Sequence, residues 1–222
     1  MIVAIDGPAG SGKSTVAKAV ARRLHMHYLD TGAMYRSVAW AALDGDVGVE
    51  SSEQVERIAH EIDIVFEHDA ETGLPTRVCA NGTDVTQAIR TPRIDDAVSA
   101  VARMPRVREA MVPLQRDAAA RGDLVAEGRD IGTVVFPHAE LKIFLTADPS
   151  ERARRRHAEL EARGEELEAA AVEERMAARD TADSSRETAP LAAAQDAIVL
   201  DTTGMTIEQV VDRIVHLAEE KR

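Results

Sequence analysis

A glycine-rich segment near the start of the chain places the strongest constraint on the fold. Residues 7–14 read GPAGSGKS and fit the pattern GxxxxGK[ST]. This segment directly follows an apolar run at residues 2–5 and directly precedes residues 15–24, whose apolar side chains have helical spacing. In such a strand–loop–helix unit, backbone N–H groups and the positive end of the helix point at a phosphate group. The sequence therefore predicts a phosphate-binding loop, or P-loop, in an α/β fold.

Two side chains of this loop are predicted to contact the reactive end of a nucleoside triphosphate. Lys13 supplies a mobile cation for the β- and γ-phosphates, and Ser14 supplies a hydroxyl ligand for Mg²⁺. The predicted donor-binding residues are Gly7, Pro8, Ala9, Gly10, Ser11, Gly12, Lys13, Ser14 and Thr15. These residues predict nucleotide binding and leave open which molecule receives the phosphate.

Short apolar runs alternate with helical patterns along the chain. The runs lie at residues 2–5, 27–29, 124–126, 141–145 and 198–200. This order indicates βαβ units and a mostly parallel sheet covered by helices. The 222 residues are enough for one such domain with insertions.

Two segments depart from this alternation. Between residues 62 and 90, brief strand patterns are separated by turn signals at residues 73–75 and 81–82, which predicts a small antiparallel insertion. Around residues 159–166 the chain becomes highly charged between two helical stretches. A solvated helical hairpin and a mobile lid both explain that second segment.

Charge and hydropathy exclude several classes of function. The formal net charge is −12, which argues against nonspecific binding to a nucleic acid polymer, since that needs a basic face. No apolar run approaches the roughly 18 residues that span a bilayer. Residues 2–5 lack the flanks of a signal peptide, so we expect no membrane association and a cytoplasmic location.

The single cysteine, Cys79, lies in an alternating strand pattern at residues 76–80. It cannot form an intramolecular disulfide. Because free cysteine packs as a small apolar residue, we predict a buried structural thiol rather than a nucleophile.

Three further segments bear on the acceptor of the phosphate. Residues 29–36 and 126–132 each follow a predicted strand and so lie at the carboxyl edge of the sheet, where α/β enzymes place ligands. A helix cap by Asp30 or Thr31, and a salt-bridged turn, are the alternatives for these two segments. In the third, Arg179, Asp183 and Arg186 have i, i+4, i+7 spacing, which predicts one shared helical face. Surface ion pairing also explains that spacing.

Taken in this order, the motifs resemble those of the bacterial cytidylate kinases, within the nucleoside monophosphate kinase family. The resemblance covers practically the whole chain, and the joint appearance of the motifs separates this family from adenylate and shikimate kinases, which share only the P-loop and the fold. The motifs are the opening strand with GPAGSGKS, LDTGAMYR at 29–36, Ile89-Arg90-Thr91, PRVREA at 105–110, EGRDIGTVVFP at 127–137, the Arg-rich segment 150–156, RDTADSSRETAPL at 179–191 and DTT at 201–203.

The resemblance implies a fold and an activity. The fold is α/β, a five-stranded parallel sheet ringed by helices, which is the P-loop kinase core, with a small antiparallel β insertion and a short helical lid. The core comprises residues 1–61, 91–150 and 168–222, the monophosphate-binding insertion residues 62–90 and the lid residues 151–167. The activity is ATP-dependent phosphorylation of CMP and dCMP to CDP and dCDP in pyrimidine nucleotide metabolism, by a monomer that uses Mg²⁺.

The resemblance also assigns site residues. Those matching the family's contacts to the acceptor's base and sugar are Thr31, Tyr35, Ser99, Arg108, Asp130, Asp183 and Arg186. Arg129 and Arg179 lie near the transferring phosphates, and Arg90 assists the acceptor phosphate. The implied catalytic residues are Lys13, Arg129, Arg152, Arg156 and Arg179. Some relatives have a basic residue where this chain has Ala182.

Two alternatives remain open from the sequence. One is a kinase for UMP or another small acceptor. The other is a P-loop switch NTPase that reports its nucleotide state to a partner protein. The switch would hydrolyse its nucleotide without an acceptor, and it leaves the arginine clusters beyond the P-loop unexplained.

Overall fold

The computed structural model describes residues 1–69, 71–165 and 167–222. The strands are β1 (Ile2–Asp6), β2 (His27–Asp30), β3 (Ile64–His68), β4 (Pro75–Ala80), β5 (Thr83–Asp84), β6 (Leu124–Gly128), β7 (Leu141–Thr146) and β8 (Ile198–Asp201). The α-helices are α1 (Lys13–Leu24), α2 (Thr31–Asp44), α3 (Ser52–Glu61), α4 (Pro92–Val101), α5 (Pro105–Asp117), α6 (Pro149–Ala162), α7 (Ala169–Ser184) and α8 (Ile207–Glu219). Within the described ranges, no helix is both long enough and apolar enough to cross a membrane.

The five predicted core strands form one parallel sheet in the order β2-β6-β1-β7-β8. The predicted α/β fold class is confirmed, and each predicted strand is contained in an observed one. The central strand β1 is buried on both faces. For that reason its sequence is a continuous apolar run rather than an alternation of apolar and polar residues.

Helices cover both faces of the sheet. Val3 and Ile5 pack with α1 and α8, whereas the intervening Ala4 packs with α2, α4 and α5. This division follows from the two-residue period of a strand, in which successive side chains point to opposite faces. The helices cover the two faces of the sheet and leave its carboxyl edge accessible.

The antiparallel insertion is present as the sheet β3-β4-β5. Asn81 and Gly82 both have positive φ, which is the backbone that a tight turn between β4 and β5 requires. The predicted burial of Cys79 is wrong, because the thiol is only partly buried. Its neighbours Val78 and Ala80 occupy the buried face of β4, and strand alternation directs Cys79 to the other face.

The helices on either side of the charged segment, α6 and α7, pack together as a helical hairpin. Ala153 and Leu160 of α6 pack against Val172 and Met176 of α7 in a small apolar cluster of their own. The proposed lid, residues 151–167, includes Glu166, and the proposed insertion, residues 62–90, includes Ala70; these two residues lie outside the described ones. Movement of the hairpin as a lid stays a prediction.

Candidate active site

The P-loop passes very close to the neighbouring strand β7. A Cβ atom at Gly7 would lie only 2.1 Å from the carbonyl oxygen of Leu145. Gly12 has φ 86° and begins α1 in the left-handed region, where it is the helix cap. Because glycine has no side chain that could cap the first N–H groups of α1, these groups are available to an anionic ligand.

Lys13 is a buried cation among other cations. Its ammonium group donates to the carbonyl oxygen of Pro8 over 2.9 Å. Burial lowers the pKa of Lys13 to about 7, and the nearby Arg129 adds to this effect while Glu127 opposes it. An anionic phosphate at this position would favour the protonated form of Lys13. The electrostatics of the site therefore suit an anionic ligand such as a nucleotide.

Glu127, at the end of β6, accepts hydrogen bonds from two sides. The Ser14 hydroxyl donates to one carboxylate oxygen over 2.9 Å, and the Tyr28 hydroxyl donates to the other over 2.5 Å. Burial raises the pKa of Glu127, Asp30 acts in the same direction, and Lys13 opposes them. Sequence reasoning quoted Glu127 within a motif but assigned it no role, and it singled out no signal for Tyr28.

Asp6, at the end of β1, fixes the backbone beyond β6. Its two carboxylate oxygens accept from the N–H groups of Ile131 and Gly132, both over 2.8 Å. These residues begin a π-helical turn, Ile131–Val135, directly after Arg129 and Asp130. Burial raises the pKa of Asp6 to about 6, with the two backbone N–H groups acting in the opposite direction. The central strand thus holds the turn that presents Arg129 and Asp130.

One wall of the cleft is formed by α2, α5 and the segment after β6. Arg108 and Asp130 form a buried ion pair, and the Arg108 guanidinium lies 5.4 Å from the centre of the Tyr35 ring. The Thr31 hydroxyl donates to the Glu127 carbonyl oxygen over 2.7 Å. This wall combines an aromatic face with fixed hydrogen-bond donors and acceptors, which suits a planar polar ligand.

Asp183 of α7 holds two arginines. It accepts from Arg129 Nε over 2.9 Å and pairs also with Arg186. Burial opposes ionisation, but Arg129 and Arg186 outweigh it and lower the pKa of Asp183. The predicted single helical face for Arg179, Asp183 and Arg186 is wrong, because α7 ends at Ser184 and Arg186 lies beyond it.

A second carboxylate, Asp95 of α4, joins two further arginines. It lies 2.5 Å from Arg36 Nη1 of α2 and 2.8 Å from Arg156 Nη2 of α6. Asp30 similarly lies 3.3 Å from Arg90 Nη2, and it also caps α2 by accepting from the Ala33 N–H. The cap interpretation of Asp30 is therefore confirmed.

Most of the residues predicted for the site line one cleft at the carboxyl edge of the sheet. These are Lys13, Ser14, Thr31, Tyr35, Arg90, Ser99, Arg108, Arg129, Asp130, Arg156, Arg179, Asp183 and Arg186, with Ala9 and Gly10 of the P-loop. Five charged residues that were not predicted as site residues also line it: Asp30, Arg36, Glu127, Glu159 and Arg163. Asp30, Arg36 and Glu127 belong to motifs quoted above, but neither spacing nor the family resemblance assigned them a role in the site.

The lining of this cleft does not include the remaining predicted residues, which are Gly7, Pro8, Ser11, Gly12, Thr15 and Arg152. Ser11, Gly12 and Thr15 line a groove on the other side of the P-loop. Arg152 does not line the cleft; its guanidinium contacts the Ala9 carbonyl oxygen at 3.1 Å and Asp180 at 2.5 Å. In this conformation Arg152 supports the loop rather than facing the cavity.

Comparison with known proteins agrees with this arrangement. The sequence profile of the family described as cytidylate kinase matches residues 3–220. A cytidylate kinase of Desulfitobacterium hafniense is 51% identical over 219 residues, which cover 99% of this chain and 93% of that protein. A cytidylate kinase of Carboxydothermus hydrogenoformans is 46% identical over 100% of this chain and 98% of its own.

Two other comparisons concern domain context and fold. A bifunctional pantoate ligase/cytidylate kinase of a Synechococcus strain is 50% identical over 99% of this chain and 45% of that protein. Among solved structures, an uncharacterized protein from Eubacterium ventriosum has a TM-score of 0.53 at 13% identity, covering 99% of this chain and 98% of its own, which supports the fold alone. With a matching profile over nearly all residues and full-length relatives near half identity, the chain belongs to the cytidylate kinase family.

Proposed function

We propose that this chain transfers the γ-phosphate of ATP to CMP and dCMP, forming ADP with CDP or dCDP. The observation that carries the proposal is the single cleft, which has Lys13 of the P-loop on one side and the Tyr35, Arg108 and Asp130 wall on the other. The activity named for the full-length relatives supports the same assignment.

The donor half of the site would bind ATP through the P-loop. Residues 7–15 would surround the β-phosphate with N–H groups, and Lys13 would neutralise charge on the β- and γ-phosphates. The groove beyond the loop, which Arg155 and Thr202 line while hydrogen-bonded to each other, would hold the nucleoside of ATP. This arrangement directs the γ-phosphate into the main cleft.

The side chains next to the P-loop fit Mg²⁺. Mg²⁺ takes oxygen ligands and is held by one or two protein groups together with substrate phosphates. Ser14 would be a direct ligand, and Glu127, already hydrogen-bonded to the Ser14 hydroxyl, would orient it or a bound water. In the described ranges, no group of three or more acidic or histidine side chains forms a dedicated cage. The metal would neutralise charge on the transferred group.

The acceptor half would recognise cytidine monophosphate from its base to its phosphate. Arg108, Asp130 and Ser99 offer donors and acceptors to the base edge, against the Tyr35 ring. Asp183 would accept from the sugar hydroxyls, with Thr31 and Arg186 nearby. The acceptor phosphate would be held by cationic side chains, namely Arg90, Arg129 and Arg179.

Catalysis at this site would depend on alignment and charge neutralisation. The attacking phosphate oxygen is already anionic, so the reaction needs no strong general base. Lys13, Arg129, Arg156 and Arg179 would stabilise the transferring group. Arg152 would join them only by leaving its contacts with Ala9 and Asp180.

Closure of two mobile segments would exclude water from the reaction. Residues 151–167 act as the lid in this proposal, because α6 extends Arg156 into the cleft beside Arg179 of α7. Residues 62–90 act as the monophosphate-binding insertion. Water exclusion would suppress hydrolysis of ATP.

The test is ADP release from ATP and Mg²⁺ with CMP, dCMP, UMP, AMP or no acceptor. We expect rapid release with CMP and dCMP and little release without an acceptor. Faster turnover with UMP or AMP would contradict the proposed acceptor and support a different monophosphate kinase. Release that is equally rapid without an acceptor would support the switch NTPase instead.

A further inference from the structure

A chain of ion pairs connects α2, α4 and α6. Asp95 of α4 accepts from Arg156 Nη2 over 2.8 Å, and Arg36 Nη1 lies 2.5 Å from its other carboxylate oxygen. The contact with Arg36 is an ion pair by distance and lacks hydrogen-bond geometry. On α6, Glu159 pairs with Arg156 over 2.8 Å and also with Arg163. All of these residues except Asp95 line the cleft, and the mechanism above gives Asp95 no role.

The Asp95 carboxylate is a charged group on a fixed element. Helix α4 packs into the main hydrophobic core through Ile94 and Val98, on either side of Asp95 in the sequence. The Asp95 side chain is 12% exposed. Burial opposes its ionisation, but Arg36 and Arg156 outweigh this effect and lower the pKa of Asp95. Asp95 can therefore anchor a guanidinium group from a neighbouring element.

Arg156 belongs to an element that needs such an anchor. The hairpin of α6 and α7 has a small apolar cluster of its own, separate from the main core. Arg152 and Arg155 tie α6 to the P-loop and to Thr202, both on the donor side. Among the described residues, Arg156 pairs with two carboxylates, and Asp95 is the one outside the hairpin. Asp95 thus fixes Arg156 relative to the acceptor side of the cleft.

These ion pairs orient the arginines without cancelling their charge. Arg36, Arg156 and Arg163 carry three positive charges. Asp95 and Glu159 carry two negative ones, so one net positive charge remains for an anionic ligand. Because a long side chain loses rotamer entropy when a ligand orders it, an arginine held in advance stabilises a phosphoryl group better than a free one.

We propose that Asp95 is a positioning residue for phosphoryl transfer, since its carboxylate holds the Arg156 guanidinium in the cleft beside the transferring phosphate. This inference rests on the proposed function, which places Arg156 at that phosphate. Asp95 does not line the cleft, and its second partner, Arg36, keeps a separate anchor, the Ile89 carbonyl oxygen at 3.3 Å. Asp95 therefore acts through Arg156, on the rate of transfer more than on the affinity for either nucleotide.

The test is the steady-state kinetics of ADP release in wild type, Asp95→Asn, Arg156→Met and the double variant. Asparagine has nearly the shape of aspartate without its charge, and methionine keeps part of the arginine stem without the guanidinium. We expect Asp95→Asn to lower kcat with CMP about 10- to 100-fold, since a displacement of about 1 Å can cause such a loss, with KM for ATP and CMP within about threefold. The double variant should be no slower than Arg156→Met, because Asp95 then has no guanidinium to position.

Asp96→Asn is the matched control. Asp96 is the next carboxylate on α4, is exposed and does not line the cleft, so this variant should keep the kcat of wild type. The inference alone is overturned if folded Asp95→Asn has a kcat within twofold of wild type, if its loss lies in KM for CMP rather than in kcat, or if the losses in the double variant are fully additive.

Two further outcomes separate the inference from its basis. If Asp95→Asn does not fold, a wild-type kcat in Arg156→Met overturns the inference equally, because Asp95 then has no catalytic group to hold. A wild type whose ADP release does not depend on CMP would instead overturn the proposed function, and the inference with it.

Discussion

The donor half and the acceptor half of the cleft are built in different ways. The donor half is one continuous segment, residues 7–15, and it presents mainly backbone N–H groups together with Lys13. The acceptor half takes side chains from α2, α4, α5, α7 and the segment after β6. Carboxylates hold its guanidinium groups in place, in the pairs Arg108–Asp130, Arg129–Asp183 and Arg90–Asp30.

This difference shows how an acidic chain can bind anionic ligands. With a net charge of −12, the chain must concentrate its cations locally. A loop of backbone N–H groups can bind a phosphate with few charged side chains. Several arginines in one cleft, by contrast, repel each other. Paired carboxylates reduce that repulsion and fix the direction of each guanidinium group before a phosphate arrives. The two halves should therefore respond differently to substitution.

The largest effect is expected in the donor half. Lys13→Ala deletes a cation next to the transferred phosphate, so turnover should fall by about 10² to 10³, the usual loss for one electrostatic stabiliser. The loss should be the same with CMP and dCMP, because the proposed position of Lys13 is at the phosphates and away from the sugar of the acceptor. Steady-state ADP release measures it. Lys18→Ala, five residues further along α1 and outside the lining of the cleft, is the control and should keep wild-type activity. Wild-type turnover in folded Lys13→Ala would contradict the catalytic role of the P-loop.

A substitution in the acceptor half should discriminate between sugars. Asp183→Ala removes a carboxylate that would accept from ribose hydroxyls, so CMP binding should weaken by roughly 1.5–3 kcal/mol, with a smaller loss for dCMP. KM and kcat for CMP and dCMP in wild type and variant measure this difference.

The structure adds a second consequence for Asp183→Ala, since Arg129 and Arg186 lose their shared partner. If positioning these arginines is the whole role of Asp183, both acceptors will show the same penalty, which would remove Asp183 from the sugar site. Asp212→Ala, which breaks an exposed pair with Arg23, is the control and should leave both acceptors unaffected.

A smaller effect is expected from pH, again in the donor half. Because the pKa of Lys13 is about 7 and bound phosphates should raise it, ATP binding above pH 7 should take up a proton. ATP affinity should then fall by up to about tenfold per pH unit as the pH rises from 7.5 to 8.5. Calorimetry in two buffers of different ionisation enthalpy counts the protons. No proton uptake in wild type, or undiminished uptake in Lys13→Ala, would contradict this linkage.

The smallest effect is expected outside both halves. Cys79→Ser changes a partly buried side chain in the antiparallel sheet, away from the lining of the cleft. Activity should stay within twofold of wild type, and the free energy of unfolding should fall by no more than about 1 kcal/mol. Chemical denaturation and the ADP-release assay measure the two quantities. Loss of activity in the folded variant would show that Cys79 has a role we have not assigned.

The donor half and the acceptor half also differ in how much of their structure the sequence predicts. The P-loop and the five core strands are local patterns, so residues 7–14 and the apolar runs were sufficient to predict them. Helical spacing holds only within a helix, which is why the shared face predicted for Arg186 was wrong beyond Ser184. Strand alternation places Cys79 opposite the buried face, and its apolar character alone gave the wrong burial.

Contacts between distant elements left no local signal. Arg36, Asp95 and Arg156 come from three helices and meet only in the folded chain. The sequence pattern identifies Tyr28 only as a strand residue. The pairing of β2 with β6 is what brings its hydroxyl to Glu127. The family resemblance supplied residue roles in the acceptor half that the spacing of side chains alone could not.

The most direct test of the difference between the halves is a crossed binding measurement. ATP and CMP are each titrated calorimetrically into wild type, Lys13→Ala and Asp183→Ala. We predict that Lys13→Ala weakens ATP while leaving CMP affinity within about twofold, and that Asp183→Ala weakens CMP by about 10- to 100-fold while leaving ATP affinity nearly unchanged. Equal weakening of both ligands by both substitutions would contradict a cleft made of two separately built halves.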